Sequence, residues 1–131
     1  MINLFSRYKI FFYSINILLI FLYLFPGSVF GWFIYGDKKI QPQITADFVI
    51  SSNHFIVFIL ISIIGFLTFE KTEKIRILIM YLISLSIILE ILHFIIPLRT
   101  FQFSDLFGNL LGVLIILILF YFFKKNENFK T

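Results

Sequence analysis

From Leu106 to Phe123 the chain carries no charged side chain, and Asn109 is the one amide among those residues. A helix needs about 20 mostly apolar residues to cross a bilayer, and this stretch meets that length. Three more runs read the same way. The first extends from about Tyr8 to Phe25 and ends at Pro26-Gly27. The second extends from about Ser51 to Phe69, and the third from about Ile75 to Ile96, just before Pro97. The fourth begins near Asp105 and closes at Phe123, where Lys124 and Lys125 follow. The runs lack the in-out alternation of barrel strands. Helices satisfy their own backbone hydrogen bonds in lipid, whereas a lone strand cannot. The expected fold is therefore all-α: one polytopic membrane domain over residues 1–131, a bundle of four transmembrane helices.

Composition agrees. Of the 131 residues, 60% are hydrophobic and only 14% charged, against roughly 25% charged in an ordinary soluble domain. The absence of cysteine excludes disulfides, thiolate metal sites and cysteine nucleophiles. The net charge of +4 does not point to nucleic acid, because the basic residues sit in small groups between apolar runs.

Those groups orient the chain. With the N-terminus inside, the inner side holds Arg7, Lys9, Lys71, Lys74, Arg76, Lys124, Lys125 and Lys130, and the outer side only Lys38, Lys39 and Arg99. The positive-inside rule then places both termini in the cytoplasm. No small-x-small cleavage site follows the first run, so it reads as a span and not as a signal peptide. The outer connection, residues 26–50, opens with rings suited to the headgroup level (Trp32, Phe33, Tyr35) and continues as a polar segment that is either a plain loop or a lid folded over the outer face.

Polar residues gather toward one end. The second span begins with Ser52, Asn53 and His54. Glu90 stands seven residues before Pro97, about 10 Å below the outer end of its helix, and His93 lies one turn above it on the same face. Arg99 occupies the short connection. Asp105 opens the fourth span, where a negative charge meets the free N–H groups of the helix, with Ser104 before it as a possible N-cap. Asn109 follows one turn deeper. An acid in a span must face the bundle or a wet cavity, so Glu90 calls for a partner. Arg99 and His93 are the nearest, and Asp105 is a second acceptor for the Arg99 fork. These residues either form a ligand site or simply tie helices together. Gly108 and Gly112 form a GxxxG pair that packs the fourth span on the third or pairs two protomers. Phe94, Phe101, Phe103 and Phe107 read as lipid-facing or core rings.

The chemistry stays open. Zinc accepts residues such as His54, Glu90, His93 and Asp105, but no HExxH is present, and neither a metal nor a cofactor is expected. There is no GxSxG, P-loop or dinucleotide fingerprint.

Glu90-x-x-His93, Pro97-x-Arg99 and Asp105-x-x-x-Asn109-x-x-Gly112 together resemble the signature of the VanZ-like family: E-x-x-Q, P-x-R, then D-x-x-x-N-x-x-G. His54-Phe55 corresponds to an earlier element of that pattern. The departures are His93 for the usual Gln, Ile50-Ser51 for an Asp-Lys pair, and Gln102 for a Ser. The family is named after an accessory protein of glycopeptide resistance that affects teicoplanin susceptibility. The resemblance implies a small multi-span protein serving the bacterial cell envelope. Together with the polar cluster, it sets the expectation of a membrane lipid or lipid-linked envelope precursor held at the outer face of the cytoplasmic membrane. Glu90 would accept in the pocket and Arg99 would clamp an anion at its mouth. An enzyme acting on a lipid-linked substrate, and an assembly subunit with a homo-oligomeric or small membrane partner, are the alternatives. Reporter fusions test the orientation: a fusion at Lys39 reports outside and one after Lys130 reports inside, and a cytoplasmic signal at Lys39 overturns the topology.

Overall fold

A computed structural model describes residues 4–46, 49–69 and 73–128. It contains five helices, α1 (Leu4–Leu24), α2 (Val29–Tyr35), α3 (Ser52–Phe69), α4 (Ile75–Leu92) and α5 (Phe103–Asn128), and no strand among the described residues. Three of them, α3, α4 and α5, are long and apolar enough to cross a membrane. Residues 8–24 of α1 and the short α2 meet that standard only as one broken unit, bent by 74°.

Burial is inverted relative to a soluble protein. Glu90, Asn109, Ser62 and Ser86 are fully enclosed at 0% exposure. Ile17, Leu67, Phe94 and Phe123 stand on the outside, each at least 66% exposed. Apolar side chains outside and polar ones inside suit a bundle whose surroundings are hydrocarbon. The apolar core runs through Phe58, Ile61, Leu82, Leu89 and Val113. A polar tie crosses it lower down: Tyr81 donates to Asn16 Oδ1 at 2.8 Å, joining α4 to α1.

Helix α5 packs most extensively on α3, and two glycines permit it. A Cβ on Gly108 would lie 2.8 Å from the Ser51 carbonyl oxygen, and one on Gly112 would lie 2.8 Å from that of Phe55. The GxxxG face is thus occupied by α3. The expectation that it packs against the preceding span or a second protomer is corrected, because backbone-to-backbone approach occurs where α5 meets α3.

Three connections also depart from expectation. Helix α4 stops at Leu92 rather than Ile96; His93 caps it, and the chain turns through Pro97 and Leu98, whose φ is 62°. Helix α5 begins at Phe103, with the Gln102 carbonyl accepting from both Asp105 and Leu106 N–H, so Ser104 lies inside the first turn and is not the cap. The segment after α1 is no plain loop. Pro26 and Gly27 end α1, and Ser28 caps α2 by accepting the Gly31 N–H at 2.9 Å. Gly36 then closes α2 in the left-handed region at φ 69°. Residues 37–46 return as a strap. Asn53 of α3 holds it, donating to the Pro42 carbonyl at 2.7 Å and accepting from Ile44 N–H at 2.8 Å. Of the turn between α3 and α4, Glu70, Lys71 and Thr72 lie outside the described residues, as does Lys130.

Replacing Gly112 with leucine is expected to separate α5 from α3. Overpacking of this kind costs about 1–3 kcal/mol or more, read as a lowered thermal midpoint of the purified protein in detergent. The same substitution at Gly36, where nothing lies within 4 Å, meets only backbone strain and is expected to lower the midpoint less.

Candidate functional site

Apart from Arg99, the polar residues singled out from sequence come from the start of α3, the end of α4 and the first two turns of α5, and they converge. Glu90 Oε2 lies 3.2 Å from His93 Nδ1 and 3.9 Å from His54 Nδ1. His54 Nε2 lies 3.4 Å from Asp105 Oδ2. Glu90 Oε1 accepts the backbone N–H of Gln102 at 2.9 Å. Both carboxylates therefore stand at the N-terminus of α5, where the partial positive charge of the helix favours them.

Asn109 is oriented by its surroundings. Its Nδ2 donates to the Ser86 carbonyl at 3.2 Å, so its Oδ1 faces the cluster. That oxygen accepts the Tyr23 hydroxyl at 2.9 Å and lies 3.2 Å from His54 Nδ1. Tyr23 comes from α1. Its hydroxyl lies 3.2 Å from His54 Nδ1, its ring stacks on His93 at 5.9 Å, and its carbonyl lies 3.1 Å from His93 Nε2. Four helices thus meet in one polar knot.

Arg99 is not part of that knot. Its guanidinium donates to the carbonyls of Leu22 (2.8 Å) and Phe25 (3.3 Å) and to Gln41 Oε1 (3.2 Å). It caps the C-terminus of α1, where a cation offsets exposed carbonyls, and it pins the strap. The expected pairing with Glu90 or Asp105 is corrected: those acids lie nearer the histidines, while Arg99 sits on a tight turn aimed at α1. Burial lowers the Arg99 pKa from its ordinary value, and Tyr23, Asp105 and Glu90 oppose that shift.

Beside the knot lies an apolar groove of about 600 Å³, within the range of small-molecule sites. Leu18 and Leu22 of α1 form one wall, and Val57 and Leu60 of α3 the other. Helix α2 and the strap close one end, where the polar lining residues Tyr23, Ser28, Gln41, Gln43, Asn53, His54 and Arg99 gather. The walls reach from His54 to Ile64 on α3, about 15 Å of helix. Glu90, His93, Asp105 and Asn109 sit behind this end and do not line it. Gly108 and Gly112 hold α5 close enough to α3 for Asp105 to reach His54.

No protein-family model, curated protein or solved structure matches the chain.

Two contributors escaped the sequence reading. Tyr23 was not singled out from its apolar run; its position one turn before Pro26-Gly27, where the chain leaves the span, was the available signal. Gln41 had no signal at all, since its role depends on the strap folding back. Tyr23→Phe removes one of the two partners of Asn109 Oδ1 and one of the two of His54 Nδ1, leaving them only each other. A loss of about 0.5–1.5 kcal/mol is expected for a buried hydrogen bond of this kind, measured as a lowered unfolding midpoint with the oligomeric profile unchanged.

Proposed function

We propose that this chain is a four-span protein of the bacterial cytoplasmic membrane, both termini inside, that binds an anionic lipid or lipid-linked envelope precursor. In this reading α1 and α2 form one broken span, and the polar knot faces the outer side. The groove carries the reading. It is lined by aliphatic side chains along its length and has polar donors gathered at one end, which matches a molecule with a hydrocarbon chain and a polar head. Its length of about 15 Å is half the roughly 30 Å hydrocarbon core, so it suits a lipid of one leaflet. Arg99 has five N–H donors, of which three hydrogen bonds to protein occupy part, and it borders the polar end. The VanZ-like resemblance, carried by Glu90 to Gly112, supports a place in the cell envelope.

The enzyme reading draws support from the His54–Asp105 contact beside the groove, an arrangement suited to general base catalysis. A Glu90→Gln variant that binds lipid but loses turnover would favour it. The assembly-subunit reading loses its chief surface, because α3 covers the GxxxG face.

Native mass spectrometry of protein taken from its own membranes is the test. Wild type is expected to carry a discrete lipid. Leu60→Trp fills the groove from a half-exposed wall position, and Arg99→Ala removes the cation. Both are expected to release the lipid. Retention of the same lipid by wild type and both variants would sink the proposal.

A further inference from the structure

Each histidine in the knot is held at one nitrogen and left bare at the other. His93 Nε2 faces the Tyr23 carbonyl at 3.1 Å. A carbonyl only accepts, so the hydrogen is on Nε2 and the lone pair is on Nδ1. That lone pair points toward Glu90 Oε2 at 3.2 Å. His54 repeats the pattern. Asn109 offers it a carbonyl oxygen at 3.2 Å from Nδ1, which places the hydrogen there and the lone pair on Nε2, 3.4 Å from Asp105 Oδ2. In both pairs, an imidazole lone pair confronts a carboxylate oxygen. Such pairs repel unless a proton or a metal ion lies between them.

No lysine or arginine among the described residues supplies that charge, since the ion-pair contacts of Glu90 and Asp105 come from histidine alone. Glu90 is fully buried, and its Oε2 has no hydrogen-bond partner. An uncompensated carboxylate in such a place costs several kcal/mol.

We propose that His54, Glu90 and Asp105 bind one divalent cation of the zinc class, with His93 and Asn109 as its supporting shell. This departs from the expectation of a metal-free site, which rested on sequence spacing; the folded chain brings the three ligands together. One ligand atom from each lies within 4.8 Å of the other two. Around a tetrahedral zinc, with bonds of about 2.0–2.2 Å, ligand atoms stand about 3.4 Å apart. His54 and Asp105 already match that spacing, and small side-chain rotations close the set. A dication also balances the two carboxylates, so the enclosed site becomes neutral. The second shell is of the kind metal sites use, with a ligating imidazole donating its far N–H to an oxygen that fixes the tautomer. Three protein ligands are the number found in sites that keep one position exchangeable. Of the three, His54 borders the groove. The cation site stands independently of the lipid reading.

The chain has two histidines and no cysteine, and both histidines are here, which makes the test specific. Chelator-treated wild-type protein in detergent is titrated with Zn²⁺ by calorimetry, and with Co²⁺ by visible absorption. One Zn²⁺ per chain and a tetrahedral cobalt spectrum with nitrogen ligation are expected, and neither measurement needs a variant. Asp105→Asn is expected to abolish stoichiometric binding while the protein elutes and melts as a folded species. Asn109→Ala, an outer-shell change, is expected to weaken Zn²⁺ binding about 10–100-fold. Substoichiometric zinc on wild type overturns the proposal, as does a cobalt spectrum without nitrogen ligation. Unchanged zinc affinity in folded Asp105→Asn overturns it too. Lipid retention measured on the same samples is a separate readout, so failure of the groove reading leaves the zinc result standing, and the reverse.

Discussion

A carboxylate with none of its surface exposed governs the arrangement around it. Glu90 is the one acid of α4, and elements from several helices gather around it. The turn into α5 supplies a backbone N–H to one oxygen. His93 and His54 approach the other. Tyr23 and Asn109 then fix the histidines. An ionisable residue at such a depth has to be surrounded by partners from several helices, so the charge acts as an assembly point. The apolar contacts below it give cohesion without direction, whereas the polar knot fixes register among α1, α3, α4 and α5.

That register depends on close packing elsewhere. Gly108 and Gly112 let α5 approach the backbone of α3, and only at that separation does Asp105 reach His54. Bulk at either glycine would move a carboxylate and a histidine apart as well as loosen two helices. Gly112 on α5 thus belongs to the site as much as to the fold, although it touches none of the site's polar atoms.

The sequence made the helical class legible, because hydropathy and helix length are local properties. It also made legible that Glu90, His93, Asp105 and Asn109 share one end of the bundle, since helical periodicity fixes their faces. Pairing was another matter. Nearness along the chain suggested Arg99 for Glu90 and the preceding span for the GxxxG face. Arg99 instead turns toward α1, and the glycines toward α3, because both contacts are set by how distant segments fold together. Helix α2 was hidden for the same reason: PGSVFGWFIYG reads as an interfacial segment until Ser28 and Gly36 are seen capping a helix at both ends. Tyr23 hid among 20 phenylalanines and other rings, since one hydroxyl changes hydropathy little while supplying two of the knot's contacts.

The walls of the groove bear on how a ligand would travel. Leu18 and Leu60 each keep 54% of their surface exposed, on the flank of the bundle and not at its tip. The tip is closed by α2 and the strap, which Asn53 and Arg99 stitch down. A molecule reaching this groove would slide in sideways from the surrounding hydrocarbon. Its encounter would be a search in two dimensions, governed by its density in the leaflet and not by its concentration in water. Its tail would never leave an apolar medium, so the hydrophobic gain that drives ligands from water into pockets would contribute almost nothing. Discrimination among lipids would then fall to the few polar atoms at the closed end.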